Sequence, residues 1–337
     1  MTLVLVAAAC GGDDTTETSG GAEETTETSD AGGDATEETT EASEGEGGGD
    51  LGIDTLTFAA VPSEESSALQ ESYEPIIAAI EDELGVTVEF IQATDYAGVI
   101  EAMIAGDVDL AQFGPFSYVI ARNNGAEIDA IAALIEEEGA EPGYQSFGIT
   151  ASTNTDINSL ADFAGRTVCF VDPGSTSGFL YPSAGLIEEG VIASASEADL
   201  AAGLGEAIFA GGHDASALSV ANGDCEAGFA FDDMVEGLVD GQLEEGALRV
   251  VWESEVIAGS PVAVSTQLPE AAQERIEELF TEFINTPSLV ENGYCESEDT
   301  CGITDENAYG YAAVDDSFYD GVRAVCETTE AEACREA

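Results

Sequence analysis

The chain predicts an α/β protein of two lobes joined by two crossings, with a ligand cleft between the lobes. Three observations predict it. From Leu51 onward, short apolar strands alternate with helical stretches, which implies mainly parallel sheets covered on both faces. The alternation starts afresh near Ser146, and a late strand at Pro261-Val262-Ala263-Val264 returns the chain to the first lobe. Glu64, Gly114, Ser175 and Asp233 all fall at strand carboxyl ends, where open α/β sheets place their ligands.

The first lobe opens with the strand Thr55–Ala60, which runs into Val61-Pro62-Ser63-Glu64-Glu65. A helix follows, with Tyr73, Ile76, Ile77, Ile80 and Leu84 at helical spacing. Val86–Ile91 is the next strand, and Asp95–Ala105 a helix with Val99, Ile100, Met103 and Ile104 on its apolar side. Val108–Gly114 returns to strand. Pro115 then suits the first position of a helix, where its missing N–H costs nothing. Ala130–Ile135 is a further strand.

In the second lobe, Ser146–Thr150 reads as strand, Asp156–Ala164 as a short capped helix and Thr167–Val171 as a buried strand. Ala227–Phe231, ending at Asp232-Asp233, and Leu248–Trp252 are strands as well. After the return strand, Glu270–Asn285 forms a strongly amphipathic helix.

The stretch after Thr167–Val171 carries the chemistry. Asp172-Pro173-Gly174-Ser175-Thr176-Ser177-Gly178 joins a strand to a helix over Phe179–Ile187. The first N–H groups of such a helix point outward and favour an anion. Ser175, Thr176 and Ser177 add hydroxyl donors, and the flanking glycines admit close approach. This is no Walker A loop, since the chain contains no Lys.

With 70 acidic and 6 basic residues, the chain carries a formal charge of −64. Its basic residues are Arg122, Arg166, Arg249, Arg275, Arg323 and Arg335. Nucleic acid and anionic membrane surfaces, which need cationic patches, are excluded as partners. Such acidity self-repels at low ionic strength, and a saline habitat would screen it.

Residues 1–9 resemble the end of a lipoprotein signal peptide, with Val6-Ala7-Ala8-Ala9 before a lipidated Cys10; no basic residue precedes them, which points to a start further upstream. Residues 11–50 hold 14 acidic residues and nothing apolar larger than Ala, so residues 10–50 read as a lipid attachment and a disordered tether. Six further cysteines (Cys169, Cys225, Cys295, Cys301, Cys326 and Cys334) suggest disulfides in an exported protein. Proximity favours Cys295–Cys301 and Cys326–Cys334, leaving Cys169–Cys225, although connectivity does not follow from sequence. The spacings lack the pairs of a zinc site, and the sequence calls for no metal and no cofactor.

Several phrases together carry a family resemblance: Thr94–Met103, Asp109–Val119, Phe170–Gly178, Gly211-Gly212-His213-Asp214-Ala215 and Val220-Ala221-Asn222-Gly223. From about Leu56 to Thr286 the chain resembles the substrate-binding proteins of phosphate, phosphite and phosphonate ABC transporters. The resemblance implies the two-lobed periplasmic binding protein fold (type II-like), two three-layer α/β lobes with the ligand in the cleft. Residues 51–146 and 259–337 would form the first lobe and residues 147–258 the second. It implies an extracytoplasmic monomer that delivers a small phosphorus anion to membrane permease subunits. Ser175, Thr176 and Ser177 would hold the oxyanion. Tyr96 and Tyr144 would reach it from the first lobe and the crossing, His213 would donate from the second lobe, and Asp233 would accept from a protonated ligand oxygen. Aminoalkylphosphonate binders often carry an Asp before the returning Pro for the ligand ammonium. Here Ser260 stands in that place, so phosphite, phosphate or a small alkylphosphonate is expected unless Glu64 or Glu65 substitutes.

Two rivals share these residues. Cys169, His213 and Asp214 supply the types of a nucleophile–base–orienter set. However, Cys169 lies inside a buried strand, and no Lys or Arg stands beside the loop to stabilise phosphoryl transfer. The chain therefore does not read as an enzyme. A tethered ligand sensor of the same fold is the other alternative.

Overall fold

The computed structural model describes residues 51–63, 66–237, 242–244, 246–304 and 307–334. Cys10, the tether, Glu64, Glu65 and Arg335 lie outside the described residues. In the first lobe, β1 (Thr55–Ala60), α1 (Ser66–Leu84), β2 (Thr87–Gln92), α2 (Tyr96–Ala105), β3 (Leu110–Gln112), α3 (Pro115–Asn123) and β4 (Ile128–Ile135) follow in order. A short strand, β5 (Gly143–Tyr144), crosses to the second lobe. There the chain forms β6 (Ser146–Ala151), β7 (Thr167–Phe170), α4 (Tyr181–Glu188), α5 (Glu197–Gly203), β8 (Glu206–Phe209), α6 (His213–Asn222), β9 (Ala227–Phe231), α7 (Asp232–Gly237) and β10 (Leu248–Glu253). It returns through β11 (Ile257–Ala258) to β12 (Pro261–Ser265), α8 (Glu270–Glu278), α9 (Thr286–Glu291), β13 (Gly310–Ala313) and α10 (Asp320–Thr329).

The strands make a six-stranded sheet ordered β13-β4-β12-β3-β1-β2 and a five-stranded sheet ordered β10-β6-β9-β7-β8. Both are mixed rather than mainly parallel. The reason is the crossings: β12 and β6, the strands that enter a lobe from a crossing, run antiparallel to the strands wound up by βα units. The crossings themselves pair, Tyr144 opposite Ile257 and Gly143 opposite Ala258. Gly259 is packed so closely there that a Cβ would stand 2.9 Å from the Leu134 carbonyl oxygen, which keeps side chains out of the joint.

Apolar clusters fill both faces of each sheet. The largest runs under both lobes, joining Val99, Phe116 and Tyr118 to Phe170, Phe179 and Phe229, and it includes Tyr319, Val322 and Cys326 near α10. The disulfides are Cys169–Cys225, Cys295–Cys301 and Cys326–Cys334.

Two helices are shorter than their sequence patterns imply. Residues 156–164 hold only a 3₁₀ turn, Leu160–Phe163, because the Asn158 and Ser159 N–H groups are tied back to the Asp162 carboxylate. The amphipathic stretch from Glu270 is α-helical to Glu278 and then widens into a π turn over Leu279–Phe283.

Candidate functional site

The loop after β7 is built by a steric conflict. At Gly178 an added Cβ would lie 2.3 Å from Val171 Cγ2, so only glycine lets the helix start jam against the strand end. Helical turning therefore begins at Thr176, in one π turn over Thr176–Leu180, rather than at Phe179. Ser175 is the N-cap, its Oγ accepting the Gly178 N–H at 3.1 Å. The three hydroxyl residues thus sit at a helix N-terminus, and all are buried.

Three other helices start at the same place. Tyr96 is the first residue of α2, Gly114 is the N-cap of α3 and His213 is the first residue of α6. All line one small cavity between the lobes with Ser175, Thr176 and Ser177. Tyr144 and Ser260, from the two crossings, line it too. Four helix N-termini give the cavity a positive potential without any cationic side chain. The five described arginines are engaged elsewhere: Arg122, Arg166, Arg275 and Arg323 pair with carboxylates, and Arg249 donates to backbone carbonyls.

The donors are fixed in polarity. His213 Nδ1 accepts the Phe231 N–H at 3.2 Å, which puts the proton of the neutral ring on Nε2. Burial holds that ring neutral by lowering its pKa to about 3. Nε2 faces Ser175 Oγ at 3.4 Å. Ser175 Oγ thus meets N–H groups from Gly178 and His213, and its own proton is left to donate. Thr176 Oγ1 accepts the Phe116 N–H of α3 at 2.8 Å, so its proton donates as well. Such a set suits an acceptor-rich ligand, an oxyanion above all.

The lobes meet around this cavity. Besides the Thr176–Phe116 bond, the His213 backbone N–H donates to the Ser63 carbonyl at 2.7 Å. Ser63, Gln112 and Phe231 line the cavity without having been assigned roles from sequence. Gln112 is locked by accepting from Tyr311 Oη at 3.1 Å and donating to the Ser260 carbonyl at 3.2 Å. Its position at the carboxyl end of β3 was the available signal. The Phe231 ring lies edge-on to His213, with centroids 4.7 Å apart.

Asp233 is not where the sequence reading put it. The chain reaches the cavity at Phe231 and then turns away into α7, so Asp233 lines neighbouring clefts with Glu136 instead. Among the described residues no carboxylate lines the cavity.

Nucleophilic chemistry is excluded at Cys169, the candidate nucleophile, and at Ser175, which stands beside His213. Cys169 is disulfide-bonded and has no thiol. The Ser175–His213 pair is no catalytic dyad, because Nε2 already bears the proton a base would have to accept, and Nδ1 faces an N–H rather than a carboxylate.

Comparison with known proteins agrees with this geometry. A family model described as ABC transporter, phosphonate, periplasmic substrate-binding protein matches residues 58–319. The chain is 54% identical over 284 residues to the phosphate-import protein PhnD of Mycolicibacterium smegmatis, covering 84% of this chain and 88% of that protein. It is 30% identical over 239 residues to the phosphonates-binding periplasmic protein of Escherichia coli, covering 69% and 67% respectively. The solved structure of PhnD1 from Prochlorococcus marinus in complex with methylphosphonate shares the fold, with a TM-score of 0.70 at 19% identity over 82% of this chain and 98% of that one.

Proposed function

The chain belongs to the periplasmic substrate-binding proteins of phosphonate ABC transporters, and from that premise we propose that it captures a small phosphorus oxyanion between its lobes, inorganic phosphate first among the candidates. Its relatives are exported components that hand a ligand to an ABC permease, not enzymes. Among the described residues no helix is long and apolar enough to cross a membrane.

The convergence of four helix N-termini on hydroxyl donors, with no cationic side chain among the described residues lining the cavity, carries the reading. Neutral donors in a buried cleft can hold an anion through many short hydrogen bonds and still release it when the lobes part. Size supports a compact ligand. The cavity measures about 30 Å³, against the ~10–15 Å³ that one water requires. A tetrahedral PO₃ or PO₄ group fits where a few waters would, whereas an aminoethyl chain would meet, among the described residues, no carboxylate to serve as its counter-ion, with Ser260 in place of an acid. The name of the 54% identical relative orders phosphate ahead of phosphite and methylphosphonate.

Tyr96, Tyr144, Ser175, Thr176, Ser177 and His213 are the proposed ligand residues, with Ser63, Gln112 and Ser260 closing the cavity. Cys10 is the proposed lipid anchor, holding a monomer near the permease through the acidic tether; labelling with radioactive palmitate, lost in Cys10→Ser, tests that arm. The ligand is tested by calorimetric titration of the protein in molar salt with phosphate, phosphite, methylphosphonate and 2-aminoethylphosphonate. Tight binding of phosphate and rejection of the amino compound are expected. Silence from all four would sink the proposal.

A further inference from the structure

A buried amide of the first lobe borders the cavity with a donor to spare. Gln112 ends β3, is 4% exposed and lines the cavity. A carboxamide offers two N–H donors and one acceptor oxygen. The neighbours decide which atom is which. The Ser260 carbonyl, which also takes the Leu134 N–H, can only accept, so the Gln112 atom 3.2 Å from it is the nitrogen. Oε1 then meets Tyr311 Oη of β13, which donates to it at 3.1 Å. The second N–H of Gln112 has no acceptor among the described residues, and the cavity is the space it borders.

We infer that Gln112 separates phosphate from phosphite and the phosphonates, by donating that N–H to a fourth ligand oxygen. The inference rests on the proposed capture of a phosphorus oxyanion. Ser175, Thr176, Ser177 and His213 meet the ligand from the second lobe, and Gln112 from the first. A tetrahedral group whose other three oxygens are held by the second lobe turns its remaining substituent toward the first. In phosphate that substituent is an oxygen, which accepts whether or not it carries a proton. In phosphite it is a hydrogen on phosphorus, and in methylphosphonate a methyl group. Neither accepts, and the N–H is left buried and unpaired. A site built to hydrogen-bond one substituent rejects the analogue that lacks it for this reason.

The donor is fixed in place. Turning the amide over would set Oε1 against the Ser260 carbonyl, oxygen to oxygen, so Gln112 cannot offer its acceptor to the ligand instead. Tyr311 does not line the cavity, and it acts there only as a positioning residue, through Gln112.

Gln112→Glu tests this in the full chain by calorimetry at pH 6 in molar salt, with phosphate, phosphite and methylphosphonate as probes. Buried beside a carbonyl, the introduced carboxyl keeps its proton. It gives that proton to Ser260 and still accepts from Tyr311, so only the donor facing the cavity is lost. The dissociation constant for phosphate should rise roughly 10- to 100-fold, while those for phosphite and methylphosphonate change less than about threefold. Gln112→Met fills the same space without a donor and should shift the ratio in the same direction, which keeps the test open if one variant fails to fold. Equal losses for the three ligands overturn the inference and mark Gln112 as packing alone. So does a wild-type protein that binds the three alike. A wild-type protein that binds none of them overturns the anion reading itself, and this inference with it.

Discussion

Thr176 of the second lobe accepts a hydrogen bond from the Phe116 backbone N–H of the first, with Oγ1 2.8 Å from that nitrogen. One hydroxyl thus stitches the lobes and turns its proton toward the cavity. Thr176→Val removes both actions while keeping the shape. It should weaken phosphate binding by about 2–4 kcal/mol, since one donor to a charged ligand and one interlobe bond go together. Thr176→Ser should stay within a few-fold of wild type. Calorimetry on the two variants decides, and an unchanged affinity for Thr176→Val removes the loop from the site.

The fold was legible wherever burial left a continuous apolar run. β7 and β9 are such runs and stand at their expected places, each ending one residue from the predicted bound or on it. β8 and β13 were not read at all. Glu206-Ala207-Ile208-Phe209 is an edge strand with one neighbour, and Gly310-Tyr311-Ala312-Ala313 is too small-sided to show a period, so pairing rather than pattern makes them strands. The hydroxyl loop was legible because glycine and three hydroxyls after a strand have a mechanism attached. Asp233 was not, because β9 ends at Phe231 as read but α7 opens at once on Asp232, and nothing in the sequence says which way that helix turns its acids. Phe231 occupies the wall, and Asp233 turns away with α7.

His213 gives the protein an acid sensitivity of known sign. Its folded pKa lies near 3, against about 6.5 for an unfolded histidine. Between those values the unfolded chain binds a proton that the folded chain does not, so stability falls as pH drops from about 6.5 toward 3. At pH 5 the loss amounts to about 2 kcal/mol. His213→Gln keeps a donor and an acceptor but cannot titrate. Denaturant unfolding at pH 7, 6 and 5 should show the variant's stability falling less steeply than wild type. Parallel curves would mean that the ring is charged in the fold or exposed in solution.

The Cys169–Cys225 bond closes 56 residues of sequence and ties β7 to the segment that leads into β9. Both cysteines are buried, away from the cavity lining. Loop-closure entropy assigns about 4 kcal/mol to a cross-link of that span. Cys169→Ala combined with Cys225→Ala should lose stability on that scale in denaturant, while phosphate affinity stays within a few-fold. The short Cys326–Cys334 loop, with a separation of 8, should cost less, about 2–3 kcal/mol. A double variant that keeps its stability but loses binding would reverse the assignment and make the bond part of the site.

Asp232 faces the opposite way in pH. Its Oδ2 accepts the Gln145 N–H at 2.9 Å, and its Oδ1 is buried with no protein partner. Burial first, then the carboxylates of Asp233 and Glu136, raise its pKa to about 6. Glu136 follows β4 in the first lobe and lines the same cleft as Asp232 and Tyr144, so parting of the lobes should separate the two carboxylates. The closed form therefore prefers a protonated Asp232. The Glu136 share of the shift makes closure weaken as pH rises toward about 6 and level off above it, the reverse of the trend set by His213. Calorimetry at pH 6, in two buffers of different ionisation enthalpy, should show wild type taking up more protons on binding phosphate than Asp232→Asn does. The ligand's own protonation is common to both proteins and cancels. An equal proton count would place Asp232 outside the closing interface, leaving Glu136 and Asp233 to meet across it without a shared proton.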